Sequence, residues 1–251
     1  EVRIRNATNL LLASFTYGDG REWPLAADGA GHSLIPLVMD GQTDGRLDYG
    51  GNWRASAYMD GSPGAADPEP VADVVLNELM AHTDYTNGAP WQDSNDWIEL
   101  CNRTGSGVNL TNWYLSDDAD ELKKWAIPGT NTISATNRLA FFEVDGFHPS
   151  ELAGFGLNKG GEELYLSYLP SNANDRVADC VRFKGQENDR TWGRYPDGTA
   201  NWYDWHTTLP TTNTANVPAT RSVVISEIMY HPPTNAAYPN DNENDEFVEL
   251  Y

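Results

Sequence analysis

The chain repeats itself at a fixed interval. "VVLNELMAHTDYT" from Val74 returns as "VVISEIMYHPPTN" from Val223, and an offset of 149 residues carries Glu78 to Glu227, Met80 to Met229, His82 to His231 and Pro90 to Pro239. After one inserted residue, "DWIEL" at Asp96 meets "EFVEL" at Glu246. "NWRAS" at Asn52 meets "NWYDW" at Asn201 at the same offset of 149, and "EWPLAADG" at Glu22 resembles "TWGRYPDG" at Thr191. Self-similarity at one period predicts serial copies of a supersecondary unit. Residues 1–67 then read as the C-terminal part of one unit, 72–217 as a complete unit and 221–251 as the N-terminal part of a third. The joins "GSPGAADPEP" (61–70) and "TTNTANVPAT" (211–220) are small, polar and proline-bearing, as linkers are. The opening "EVRIR", with no initiator Met and no signal peptide, predicts a piece cut from a longer precursor.

Within the complete unit the pattern is that of strands. Period-two or short apolar runs occur at Val74–Met80, Trp97–Cys101, Asn112–Leu115, Arg138–Val144, Glu163–Leu169 and Val177–Phe183. Turn-forming clusters such as "DDADE", "PGTN" and "NKGG" separate them. No window has a convincing amphipathic helix, and "ELKKW" (121–125) is long enough for one turn only. This density of strands predicts an all-β fold of the β-sandwich type.

Charge narrows the partners. Sixteen basic residues face 37 acidic ones, for a net charge of -21. Such a surface repels phosphate backbones and anionic membrane faces, so no nucleic-acid partner is expected. No apolar run approaches the roughly 18 residues of a membrane span, so no membrane insertion is expected.

Several motifs, in order, carry a resemblance. A strand ending in "NELM" or "SEIM" leads through an acidic loop into "DWIELCN" or "EFVELY"; then come "NLTNWYLSDD" (109–118), "GLNKGGEELYLS" (156–167) and "GRYPDG" (193–198). This succession resembles the lamin-tail domain family. The resemblance implies an immunoglobulin-like two-sheet β-sandwich without enzymatic activity of its own. It also implies kinship with tandem modules of bacterial secreted or surface proteins. The nuclear-lamin role does not carry over, since this chain has neither the basic surface nor a long helical rod.

Candidate chemistry is thin. Strict alternation puts Glu78 on the face of Val74, Leu76 and Met80, and Glu227 on that of Val223, Ile225 and Met229. A carboxylate among apolar neighbours needs a partner, and Arg194 in "GRYPDG" is the candidate for Glu78. These three residues read as structural, as do Glu99 and Glu249, and no catalytic residue is assigned. "SDDADE" (116–121) and "NDNENDE" (240–246) offer Asp117, Asp118, Asp120, Asp241, Glu243 and Asp245 as oxygen ligands at a density calcium favours. Neither loop matches an EF-hand, and a solvated turn is the preferred reading of both, with calcium kept as the alternative. His82 and His231 follow the first strand of their units without metal spacing. Trp91, Trp202 and Trp205 sit in loop-like sequence and could stack on sugars, whereas Trp97, Trp113, Trp125 and Trp192 read as core. Cys101 and Cys180 either pair as a disulfide or remain as two buried thiols. Asn6, Asn102 and Asn109 head glycosylation sequons.

Two functions are expected from different classes. The first is a non-enzymatic spacing, adhesion or assembly module of a secreted or cell-surface repeat protein, meeting neighbouring copies or modules by strand pairing. The second is an accessory module that attaches a larger enzyme to polysaccharide or cell wall.

Overall fold

The computed structural model describes residues 1–251 except 21, 39–44, 86–88, 93, 205–210, 218–222, 236, 240 and 241. It is mostly β, with antiparallel sheets and almost no helix. Two compact units divide it, Glu1–Val217 and Pro218–Tyr251.

In the first unit the strands are β1 (Val2–Arg5), β2 (Leu11–Phe15), β3 (Leu34–Pro36), β4 (Trp53–Ala55), β5 (Val74–Met80), β6 (Trp97–Asn102), β7 (Val108–Asn109) and β8 (Trp113–Ser116). They continue with β9 (Trp125–Ala126), β10 (Thr132–Ile133), β11 (Arg138–Phe142), β12 (Glu163–Tyr168), β13 (Arg176–Arg182), β14 (Trp192–Arg194) and β15 (Trp202–Asp204). A five-stranded sheet runs β11-β6-β5-β14-β15, and a four-stranded sheet runs β13-β12-β8-β9. One apolar cluster draws on both: Leu76, Leu79, Ile98 and Leu100 from the first sheet meet Leu115, Leu164, Leu166 and Val181 from the second. The six strands expected from apolar periodicity all form, with ends shifted by a residue or two. The longest such shift is at Glu143–Phe147, which closes into a single π-type turn instead of extending β11.

The alternation of β5 breaks at one residue. Leu76 pairs with Leu100 and Glu78 with Glu99, so Asn77 is extra and forms a β-bulge. Val74 and Leu76 face the core before it, and Leu79 and Ala81 after it. Asn77 and Glu78 therefore share the opposite face. The expectation that Glu78 lies on the side of Val74 and Leu76 is overturned, because one inserted residue resets the period of two.

β13 is an edge strand of its sheet, and residues 25–32 and 55–59 pack against it. Val177 N–H donates to His32 Nε2 at 2.9 Å, and Met59 N–H donates to the Asp175 carbonyl at 2.9 Å. Ala26 and Ala30 pack with Tyr165 and Val177 in a second, smaller apolar cluster. These contacts cover part of an edge that would otherwise stand open to pairing. "EWPLAADG" forms a 3₁₀ turn at Leu25–Ala27 rather than a counterpart of β14. The strand opposite Trp53 is Leu34–Pro36, with Pro36 facing Trp53 as Arg194 faces Trp202.

The second unit holds β16 (Ile225–Met229) and β17 (Phe247–Leu250), paired antiparallel.

Candidate functional site

The bulge sends three polar side chains to the outer face of the five-stranded sheet, where Thr211–Val217 lies over them. Asn77 Nδ2 donates to Glu99 Oε1 at 2.8 Å and to Asp197 Oδ1 at 2.9 Å, while its Oδ1 accepts the Gly198 N–H at 2.9 Å. Gly198 reaches that position at a φ of +67°, in the left-handed region that suits glycine. Glu99 Oε2 accepts the Asn213 N–H at 2.5 Å. Asp197 also pairs with Arg138. Glu78 and Glu99 are directly opposite across the strands and nearly sealed, at 1% and 0% exposure.

Glu78 is tied to the overlying strap through Thr211. Thr211 Oγ1 lies 2.8 Å from Glu78 Oε2 and 2.5 Å from Asn216 Oδ1. Asn216 Nδ2 donates to the Arg194 carbonyl at 2.8 Å, which fixes Oδ1 as an acceptor. A hydroxyl has one proton to give. The Thr211 hydroxyl therefore donates to Glu78 Oε2 or to Asn216 Oδ1, one at a time. Loss of water on burial raises the Glu78 pKa and raises that of Glu99 to about 7, and each carboxylate's charge would oppose ionisation of the other. The arrangement is a carboxylate clasp between sheet and strap, shut off from solvent.

Arg194 is not the partner of Glu78. Gly193 stands opposite Glu78 in the ladder, so Arg194 projects to the other face. There it meets Asp179 at 2.8 Å and donates to the Leu76 carbonyl at 2.6 Å and to the Thr199 carbonyl. Its guanidinium also lies 4.5 Å from the centroid of Trp202, whose ring stacks on Trp192 at 4.3 Å.

Beside this stack opens a cleft of about 500 Å³, walled by Trp23, Arg182, Lys184, Arg194 and Trp202 among others. Trp91 is 37% exposed and lines none of it. Trp205 lies outside the described residues. A separate hollow of about 580 Å³ takes in His82, Ser94 and Lys159, and His82 Nδ1 contacts the Gln186 carbonyl at 3.3 Å.

The acidic loops do not assemble. Lys124 Nζ sits 2.7 Å from Asp117 and 3.5 Å from Asp118, and Asp120 points to solvent. Asp245 accepts from Asn242 at 2.6 Å, Glu243 is exposed, and Asp241 lies outside the described residues. Among the described residues no group of three or more His, Cys, Asp or Glu is placed to hold a metal ion. Both thiols are free: Cys101 sits on β6 and Cys180 on β13, strands of different sheets, and burial raises the pKa of each. Of the sequons, Asn102 is fully buried with its amide tied to three carbonyls. Glu227 and Glu249, the counterparts of Glu78 and Glu99, are exposed and paired across β16 and β17.

One network escaped sequence reasoning. Glu143 Oε2 accepts from Ser94 Oγ at 3.2 Å, and Glu143 Oε1 meets His148 Nδ1 at 2.8 Å. Its members are 49 and five residues apart, and no motif joins them. The carboxylate stands between serine and histidine, so the order is not that of a nucleophile and its base; the network braces the turn after β11.

The framework defined by these elements is an antiparallel β body with polar clasps on its outer face. Residues 67–185 match the model of the Lamin Tail Domain, and that stretch is a Lamin Tail Domain. β14, β15 and the strap over Glu78 follow the matched stretch. No curated protein and no solved structure matches the chain.

Proposed function

We propose that this chain is a run of Lamin Tail Domain modules, each an immunoglobulin-like sandwich, serving spacing, adhesion or assembly in a secreted or cell-surface protein. The observation that carries the reading is a pair of hairpins with one geometry. In β16–β17, Ile225 faces Leu250 and Glu227 faces Glu249, so Ser226 is bulged as Asn77 is in β5. Ser226 Oγ donates to Glu249 Oε1 at 2.7 Å, as Asn77 donates to Glu99 Oε1.

Two further pairs support it. β1–β2 carries a bulge at Leu12 where β12–β13 carries one at Ala178, with Arg3 facing Ser14 as Tyr165 faces Cys180. Ser62 Oγ donates to Asp67 at 2.9 Å, and Thr211 bonds Asn216 at the same spacing of five residues.

The apolar positions of the two hairpins match as well. Ile225, Ile228, Val248 and Leu250 are 54–61% exposed, whereas Leu76, Leu79, Ile98 and Leu100 at the matching positions are 0–1% exposed. Burying one such aliphatic side chain is worth about 1.5–3 kcal/mol, so these are the core positions of the third unit, as their counterparts are of the complete one. Light scattering across a hundredfold dilution tests this reading. Mass that falls with dilution is the expected result; a monomer at every concentration counts against assembly.

A further inference from the structure

One side chain joins the N-terminal segment to the complete unit through both of its ring nitrogens. Val177 N–H on β13 donates to His32 Nε2 at 2.9 Å, so that nitrogen is an acceptor and carries no proton. The ring proton therefore sits on Nδ1, which donates to the Ser56 carbonyl at 2.8 Å. His32 is 7% exposed. Around it, Met59 N–H donates to the Asp175 carbonyl at 2.9 Å, and Ala26 and Ala30 pack on Tyr165 and Val177.

Only the neutral ring satisfies both bonds. A protonated imidazole carries N–H at each nitrogen, and Nε2–H would then face the Val177 N–H in a contact closed to water. The charged groups nearby are engaged elsewhere. Asp67, whose charge favours the cation, is bound by Arg54, by the Ala57 N–H and by Ser62. On the β13 side, Asp175 accepts the Asn172 N–H, Arg176 donates to the Val71 and Asn174 carbonyls, and Asp179 holds Arg194. On β12, Tyr165 donates to Glu163, which also pairs with Arg182. Asp28, Asp60 and Asp120 are exposed. We propose that this contact is an acid-released latch: protonation of His32 frees residues 25–32 and 55–59 from β13 and bares that edge with the apolar patch beside it. In the freed segment the ring titrates near its ordinary 6.5, whereas burial holds it lower in the closed contact. Release therefore becomes easier as pH falls below 6.5, by up to about tenfold per pH unit, until the closed form also takes up the proton. The latch lies wholly within Glu1–Val217 and does not rest on the assembly reading.

The test is amide hydrogen exchange on the full chain between about pH 5 and pH 8, read residue by residue and corrected for the intrinsic exchange rate. The opening constants of the Val177 and Met59 amides are expected to rise below pH 6.5 by up to about tenfold per pH unit. Ile127 and Leu169, whose N–H groups bond to the Trp113 and Asn112 carbonyls inside the complete unit, are expected to show no such rise. His32→Gln keeps a donor and an acceptor but does not titrate, and His32→Ala has neither group. Both variants are expected to give flat profiles at Val177 and Met59. The slope is read rather than the level, so a variant with a weaker contact still answers. A flat profile in the parent, a rise shared equally by Ile127 and Leu169, or a His32→Gln variant that keeps the parent's slope would each overturn the proposal.

Discussion

At the scale of single residues, the clasp turns on one proton. Glu78 and Glu99 face each other across the ladder with little water, and Asp197 adds a third carboxylate against the single guanidinium of Arg138. The folded Glu78 and Glu99 values lie above the ordinary 4.5, with Glu99 at about 7. Their contribution to stability is therefore fully present below about pH 4.5 and is lost as pH rises through the folded values. Glu78→Gln reproduces the protonated acid, with its amide donating to Thr211. Urea denaturation at pH 5 and pH 8 should find E78Q at least as stable as the parent at pH 8, with a shallower decline between the two. Glu78→Ala, which strands Thr211, should cost about 1–3 kcal/mol. Equal losses for the two variants would mean that Glu78 is ionised in the folded chain.

At the scale of the element, the bulge decides which face each half of β5 presents. Without Asn77, strict alternation would turn Glu78 into the core or turn Leu79 and Ala81 out of it. Deleting Asn77 should therefore cost about 4 kcal/mol or more, or prevent folding altogether. Asn77→Ala keeps the backbone and removes only the bonds to Glu99, Asp197 and Gly198, so its cost should be about 1–3 kcal/mol. Deleting Ser226 from the exposed β16 hairpin should leave the melting transition of the first unit where it is. A deletion of Asn77 no worse than Asn77→Ala would show that register does not depend on the bulge.

At the scale of the molecule, the first 67 residues are held to β13 by a neutral histidine. His32 Nδ1–H donates to the Ser56 carbonyl at 2.8 Å, and Nε2 accepts from Val177. Protonation would set two N–H groups against each other. Burial lowers the His32 pKa from 6.5, opposed in part by the Ser56 carbonyl and by the charge of Asp67. This contribution is present above pH 6.5 and is lost as pH falls toward the folded value. His32→Ala should cost about 1–3 kcal/mol at pH 8 and progressively less below pH 6.5, where parent and variant converge in thermal melts. A constant gap at all pH values would assign His32 a packing role only. The carboxylate clasp and His32 act in opposite directions between about pH 4.5 and 6.5, where their pH dependences partly offset each other.

The sequence by itself determined what is local and periodic. Runs of period two located β5, β6, β8, β11, β12 and β13 to within a residue or two, turn clusters separated them, and ordered motifs pointed to the Lamin Tail Domain. Tertiary structure decided whatever depends on a partner far along the chain. The bulge at Asn77 exists only against Glu99, and a period-two reading of β5 alone assigns Glu78 to the wrong face. Arg194 looked like a partner for Glu78 until the ladder placed Gly193 opposite it and sent Arg194 to Asp179. The strap over the carboxylates and the cleft between Trp23 and Trp202 join residues more than a hundred positions apart. Side-chain alternation is a property of one strand, whereas register, coverage and cavities are properties of strands brought together.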